Sequence, residues 1–202
     1  MNAIEFKALI KHRSLRNYRP RVIVGGFGAW QLERKKVAES YGVDCVVIGE
    51  GEQAVLKTFE KAVNGEPLPR VVRVEKSSDD EQIPIIRHAA IHGCVEISRG
   101  CGRNCQFCTP TMQRKRDAPI EKVMREVELT TREGSDHITL ITEDIFLYGA
   151  KDRQFIPNKE AVLKLVKTIA THPGVKAIQP SHMSLAPIVH DTDMVKELAE
   201  IL

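Results

Sequence analysis

Long apolar runs are missing from this chain. Nothing approaches the roughly 20 consecutive apolar residues that cross a bilayer, so the sequence offers no membrane-spanning helix. A cleavable leader is missing as well: MNAIEFKALIKHRSLRNYRP is mixed and charged, without an apolar centre or a small-residue cleavage site. Together these absences predict a cytoplasmic protein with no membrane partner. A strong charge of one sign is also lacking, since a net charge of +3 is too weak to imply nucleic acid by itself. The five cysteines make an odd count, which fits a secreted disulfide framework poorly. Internal repeats and low-complexity segments are absent.

What is present is a chain of 202 residues, 42% hydrophobic and 28% charged, enough for one sizeable core or two small ones. Three of its cysteines crowd into ISRGCGRNCQFCTP with the spacing Cys101-x3-Cys105-x2-Cys108. Gly100 and Gly102 let the backbone wrap, so these thiolates can converge on one iron–sulfur cluster and leave one iron of a four-iron cluster without a protein ligand. Such an open position binds a small molecule, which suggests catalysis over electron storage. Cys45, inside VDCVVIG, reads as a small buried hydrophobe. Arg99, Arg103, Arg114, Lys115 and Arg116 occur with no acid between 99 and 116. This stretch is either a solvated basic loop or a surface that attracts an anionic cofactor or substrate.

The order of elements points to an α/β fold. RVIVGG (21–26) and VDCVVIG (43–49) read as strands, each followed by a helical pattern, near 30–40 and over EQAVLKTFEKAVNG (52–65). Uninterrupted apolar strands in β-α-β-α order suit a parallel sheet covered on both faces. Residues 66–92 read as a linker, with three prolines and a polar, charged run. From residue 93 the alternation resumes with strands at CVEIS (94–98), HITLIT (137–142) and VKAIQP (175–180). Helices start at Pro119 and at Pro157-Asn158, their apolar faces being Ile120, Val123, Met124, Val127 and Val162, Leu165, Val166, Ile169. A last helix carries Val195, Leu198, Ala199 and Leu202, and the chain ends within it. Three β-α units fall short of an eight-stranded barrel, so the chain reads as cut at both ends.

Three chemistries compete for the cysteine loop. Structural zinc wants four ligands in paired short spacings; His92 or Cys94 is the available fourth, several residues off. Redox pairing of the thiols is the second, and an iron–sulfur cluster with an open iron is the third. The loop, the aromatic Phe107 before its last cysteine, and its place after the first strand of a β-α series resemble the radical S-adenosylmethionine enzymes. The resemblance implies a 4Fe–4S cluster on Cys101, Cys105 and Cys108, with S-adenosylmethionine chelating the fourth iron and cleaved by one electron to a 5′-deoxyadenosyl radical. It further implies Phe107 beside the adenine, Glu143 of Thr142-Glu143-Asp144 on the cofactor's amino group, and Ser181 and His182 facing the cofactor from the third strand. The glycines expected beside Glu143 are not there. A reductant such as ferredoxin or flavodoxin is the implied partner, and the substrate stays open.

RVIVGGFGAW followed by VDCVVIGEGE is similar to the latter part of the cobalamin-binding domain that precedes the barrel in one radical-enzyme subfamily, with Gly25 and Gly26 near the cobalamin tail; any tight turn would use them equally. The Asp-x-His-x-x-Gly motif of some members is absent. The likeness is loose over 20–65 and good over 93–150. The expected architecture is therefore a partial Rossmann-like, cobalamin-binding-like module at 1–65, a linker at 66–92, and the first part of a radical-enzyme β/α barrel at 93–202, with cobalamin used in a full-length parent. Two alternatives remain: a non-catalytic metal or iron–sulfur binding fragment, and a methylthio- or methyl-transferring enzyme acting on RNA.

Overall fold

A computed structural model describes residues 3–74, 85–103, 105–108, 115–151 and 156–202. The chain is mixed α/β and divides into two compact units, Met1–Gln82 and Ile83–Leu202.

The first unit opens with helices α1 (Ala3–Lys11) and α2 (Arg13–Tyr18), in the charged stretch where no element is expected from the sequence. Strand β1 is only Ile23–Val24, and β2 is Cys45–Ile48; between them lie a short 3-10 turn (Ala29–Leu32) and α3 (Lys35–Ser40). Helix α4 (Val55–Val63) leads to β3 (Val71–Arg73). This last strand falls inside the stretch read as linker and completes a parallel sheet of order β1-β2-β3, with Val46 opposite Val71. Cys45, Val46 and Val47 are buried in its middle strand, as an uninterrupted apolar run in a central strand should be. Gly26 has φ 91 and its carbonyl accepts from the Ala29 N–H at 3.0 Å, so this glycine is needed for the turn leaving β1.

The second unit starts its sheet with β4 (Cys94–Glu96), after which Ser98–Arg99 (β5) pairs antiparallel with Arg116–Asp117 (β6). Helix α5 (Ile120–Arg132), strand β7 (His137–Ile141), helix α6 (Lys159–Ala170), strand β8 (Ala177–Pro180) and helices α7 (Leu185–His190) and α8 (Thr192–Ala199) follow. The sheet is parallel, order β4-β7-β8, with Val95 opposite Leu140 and Leu140 opposite Pro180. Sequence chemistry explains the helix starts. The Asn158 side chain accepts from the Ala161 N–H at 3.1 Å, and Asp191 accepts from the Met194 N–H at 2.8 Å, each satisfying an N–H that the first helical turn leaves over.

The faces read from spacing do the packing. Val123 and Val127 of α5 and Val162, Leu165, Val166 and Ile169 of α6 are fully or almost fully buried against Val95, Ile138, Leu140 and Ile178 of the sheet. Burial of each such side chain contributes about 1.5–3 kcal/mol relative to exposure. Along β7 the burial alternates: Ile138 and Leu140 point into this core, whereas His137 and Ile141 are exposed and Thr139 is half-buried. The C-terminal helix differs from its sequence reading. It is α8, which ends at Ala199: Met194 and Leu198 supply its buried contacts, Leu202 lies past its end, exposed, and α7 before it is a helix the sequence reading did not include. None of the described helices is long and apolar enough to cross a membrane.

Candidate metal and cofactor site at the carboxyl edge of the sheet

Because β4, β7 and β8 run parallel, their carboxyl ends share one edge, and the loops that follow them gather there. The loop after β4 and β5 carries the three cysteines, the loop after β7 carries Thr142, Glu143 and Asp144, and the loop after β8 carries Ser181, His182 and Ser184. The β5–β6 pair, with Arg99 opposite Arg116, closes the cysteine loop at its base. Gly100 (φ 71) and Gly102 (φ 70) take the left-handed backbone conformation on either side of Cys101, which side-chain-bearing residues adopt at a cost. The Cys108 N–H donates to the Cys105 carbonyl at 3.1 Å and forms a tight turn.

All three cysteines of the loop are free thiols and half-buried. Burial pushes the Cys101 thiol up; the Arg103 backbone N–H and guanidinium pull it down, and the charges of Glu143 and Cys105 push it up again. Among the described residues, however, no three His, Cys, Asp or Glu side chains stand within reach of one metal ion. The donor chemistry fits an iron–sulfur cluster, three thiols on one glycine-bracketed loop, and the gathering of their sulfurs is what binding would add. It fits zinc poorly. His92 is exposed, with its carbonyl accepting from Thr139 Oγ1 at 2.9 Å, and Cys94 is set in β4 opposite Thr139.

The other expected residues are spread along the same edge. Phe107 is 92% exposed. Ser181 Oγ accepts from the Thr142 N–H at 3.1 Å and donates to the Thr142 carbonyl at 3.0 Å; His182 Nδ1 lies 3.1 Å from the same carbonyl, and its own carbonyl accepts from the Ile145 N–H at 3.2 Å. Ser181 and His182 are therefore engaged in stitching the β8 loop to the β7 loop. Gly25 and Gly26 belong to the first unit and serve the turn after β1.

The basic stretch is neither a solvated loop nor an open cationic surface where it is described. Arg99 pairs with Glu96 at 2.6 Å, Arg103 with Asp144, and Lys115 with Asp117, while Arg116 is 8% exposed. Arg114 lies outside the described residues. Spacing along the sequence could not reveal the Arg103 pairing, whose acid lies far downstream at 144, while the other two acids, at 96 and 117, stand just outside the stretch. Missed as well were the pairing of Asp144, a residue read only as part of Thr142-Glu143-Asp144, the role of Ser184, and the buried hydroxyl pair of Ser98 and Thr142, 2.5 Å apart. One local signal was available: an acid two residues before Phe146 is placed to cap the short turn Ile145–Leu147, and Asp144 Oδ1 does accept from the Phe146 N–H at 3.2 Å.

No family model matches the chain. It is 29% identical over 190 residues to a tRNA-2-methylthio-N(6)-dimethylallyladenosine synthase of Thermotoga petrophila, which covers 90% of this chain and 39% of that protein. The enzyme of the same name from Methylacidiphilum infernorum is 26% identical over 218 residues, covering 98% of this chain and 44% of that protein. The ribosomal protein uS12 methylthiotransferase RimO of Sorangium cellulosum is 35% identical over 109 residues, covering 52% of this chain and 22% of that protein. The chain thus spans 39% and 44% of the length of the two synthases. These relatives are enzymes named for methylthio groups on tRNA or on a ribosomal protein. The cobalamin expectation for residues 20–65 finds no support in them.

Proposed function

We propose that this chain is the cluster-bearing part of a radical S-adenosylmethionine methylthiotransferase acting on tRNA or on a ribosomal protein. The observation that carries the reading is the Cys-x3-Cys-x2-Cys loop at the carboxyl edge of a parallel sheet, beside Glu143, in a chain whose relatives are named for methylthio transfer. In this reading residues 93–202 are the start of a β/α barrel, and the first unit, β3 included, is a Rossmann-like module without cobalamin.

The chemistry named by the relatives gives a physical reason for the cofactor. A methylthio group at the 2-position of an adenine replaces a hydrogen that has no leaving-group character, so a polar displacement is poorly suited to it. When bound, a four-iron cluster supplies the electron for reductive cleavage of S-adenosylmethionine. Cys101, Cys105 and Cys108 would hold that cluster. Glu143, at the end of β7, would accept from the cofactor's amino group, Ser181 would hold the β7 loop through Thr142, and Phe107 would sit beside the adenine, meeting it mainly through its backbone. Ferredoxin or flavodoxin suits the role of reductant.

Anaerobic reconstitution with iron and sulfide is expected to give about four irons per chain, and the reduced protein is expected to convert S-adenosylmethionine to 5′-deoxyadenosine. Glu143→Gln should weaken cofactor binding and leave the iron content intact. Full iron content in Cys105→Ala would sink the cluster assignment. Cluster without cleavage would favour a non-catalytic fragment. Methylthio transfer itself is read by mass spectrometry of tRNA and of ribosomal protein incubated with the reduced protein, and a product in neither would leave cofactor cleavage standing without the transfer.

A further inference from the structure

Arg103 stands between Cys101 and Cys105, and its side chain reaches both other loops at the sheet edge. Its guanidinium donates to Asp144 and, at 2.6 Å, to Ser184 Oγ, while Ser184 Oγ itself donates to Asp144. Asp144 is the hub. Its side chain is 1% exposed, and besides Arg103 and the Ser184 hydroxyl it accepts from the Phe146 N–H at 3.2 Å and the Ser184 N–H at 3.4 Å.

We propose that Arg103 is a positioning residue, which anchors the cysteine loop through Asp144 and Ser184 and so sets where Cys101 stands relative to Glu143. The proposal rests on the cluster reading above. Two left-handed glycines, Gly100 and Gly102, flank Cys101 just before Arg103 in a loop that would otherwise take many conformations. A buried ion pair is weak as a stability device, because the desolvation of both charges offsets most of their attraction. What it supplies is registry: the planar guanidinium fixes direction as well as distance, which an ammonium on a flexible stem does less well. Glu143 is adjacent to the hub residue, so one anchored carboxylate fixes both the thiol loop and the carboxylate proposed to face the cofactor.

The test uses the whole chain in a metal-free and a reconstituted arm. In the metal-free arm, alkylation of each cysteine by iodoacetamide is followed by peptide mass spectrometry. The double variant Arg103→Ala/Asp144→Asn leaves no orphaned charge, and it should alkylate at Cys101 about tenfold faster as the loop opens. Cys94, set in β4, should keep its wild-type rate and reports that the sheet is intact. Arg103→Lys should fall between the two, and Ser184→Ala, which keeps the ion pair, should raise the rate about threefold. In the reconstituted arm, iron content of the double variant should fall to half or less, and the electron paramagnetic resonance signal of the reduced cluster should broaden. Unchanged alkylation at Cys101 in the double variant, with Cys94 still at its wild-type rate, overturns the proposal. If the double variant exposes Cys94, the decision passes to Ser184→Ala and Arg103→Lys, and wild-type rates in both overturn it. Wild-type protein that takes up no iron overturns the cluster reading instead, and leaves the metal-free result to decide the anchor.

Discussion

Ser98 and Thr142 share a buried hydroxyl–hydroxyl hydrogen bond of 2.5 Å, joining the strand that enters the cysteine loop to the residue before Glu143. Thr142 Oγ1 also accepts from the Asp144 N–H at 3.1 Å, so the two hydroxyls form a short relay from β5 to the hub carboxylate. The two substitutions that break it should differ in cost. Ser98→Ala removes one partner and should cost about 1 kcal/mol, the net worth of one buried hydrogen bond. Thr142→Val conserves shape but leaves both the Ser98 hydroxyl and the Asp144 N–H without Thr142 Oγ1, and should cost about 2–3 kcal/mol. Urea unfolding curves measure both, and equal costs would mean that the Asp144 N–H is satisfied by some other group in the variant.

At the opposite end of the same sheet, Gly93 has φ 62, and a Cβ placed on it would lie 2.0 Å from the His137 carbonyl oxygen and 2.9 Å from Ser135 Oγ. The near atom is backbone of β7, held by pairing on both sides, so it cannot turn aside as a side chain could. Gly93→Ala should therefore cost about 3 kcal/mol or more, conformational strain and steric conflict together. Its urea midpoint should drop while the slope of the transition is kept.

Much of the second unit was legible because its signals are local. The faces of α5 and α6 repeat at helical spacing, Asn158 announces a cap, and the cysteine spacing is a motif in itself. The failures have physical causes. β3 is three residues long, Val71–Arg73, next to a polar run and behind Pro69, and only its pairing with β2 makes it a strand. Helix α7 is six residues long and contains Pro187, so it left no helical pattern to read, and α8 takes its own cap from Asp191. The basic stretch 99–116 looked open because charge counted along the chain ignores acids brought in by the fold; Arg103 finds Asp144 41 residues away. At the candidate site, the ligand loop could be read but its anchor could not, since side-chain pairings between loops leave no periodic trace.

Tyr148 shows a pairing of that kind which titration can follow. Its hydroxyl donates to the Ala118 carbonyl at 2.7 Å, and burial, with the charges of Asp117 and Glu121 added, pushes its pKa up to about 12. The folded state therefore holds this proton more tightly than the unfolded chain. Stability from this group is complete below the ordinary phenol value of about 10 and is lost as pH rises from there through about 12. An ultraviolet absorbance titration should show one of the three tyrosines ionising only at that high pH or on unfolding. Tyr148→Phe should remove the late phase and cost about 1 kcal/mol, because the Ala118 carbonyl loses its donor. A late phase that survives in the variant would assign it to another tyrosine.

Glu126 carries a pH dependence in the acid range. It lies on α5, 3% exposed, with the Ile86 N–H donating to Oε1 at 3.4 Å. Burial raises its pKa above the ordinary carboxylate value; the charge of Lys122 and the Ile86 N–H oppose this, and the charge of Glu96 adds to it. A raised folded value means that the native state binds the proton when the unfolded chain has released it. The group's contribution is thus fully favourable below the ordinary carboxylate pKa and is lost as pH rises through the raised one. At neutral pH the ionised form is a net burden, since the desolvation outweighs the partners it has. Glu126→Gln keeps the volume and an oxygen for the Ile86 N–H while removing the charge. It should raise the melting temperature at pH 7 and lose that advantage progressively as pH falls through the raised value. Melting temperatures across that range check the sign: a variant less stable than wild type at neutral pH would show that Lys122 and the Ile86 N–H more than offset the burial of this carboxylate.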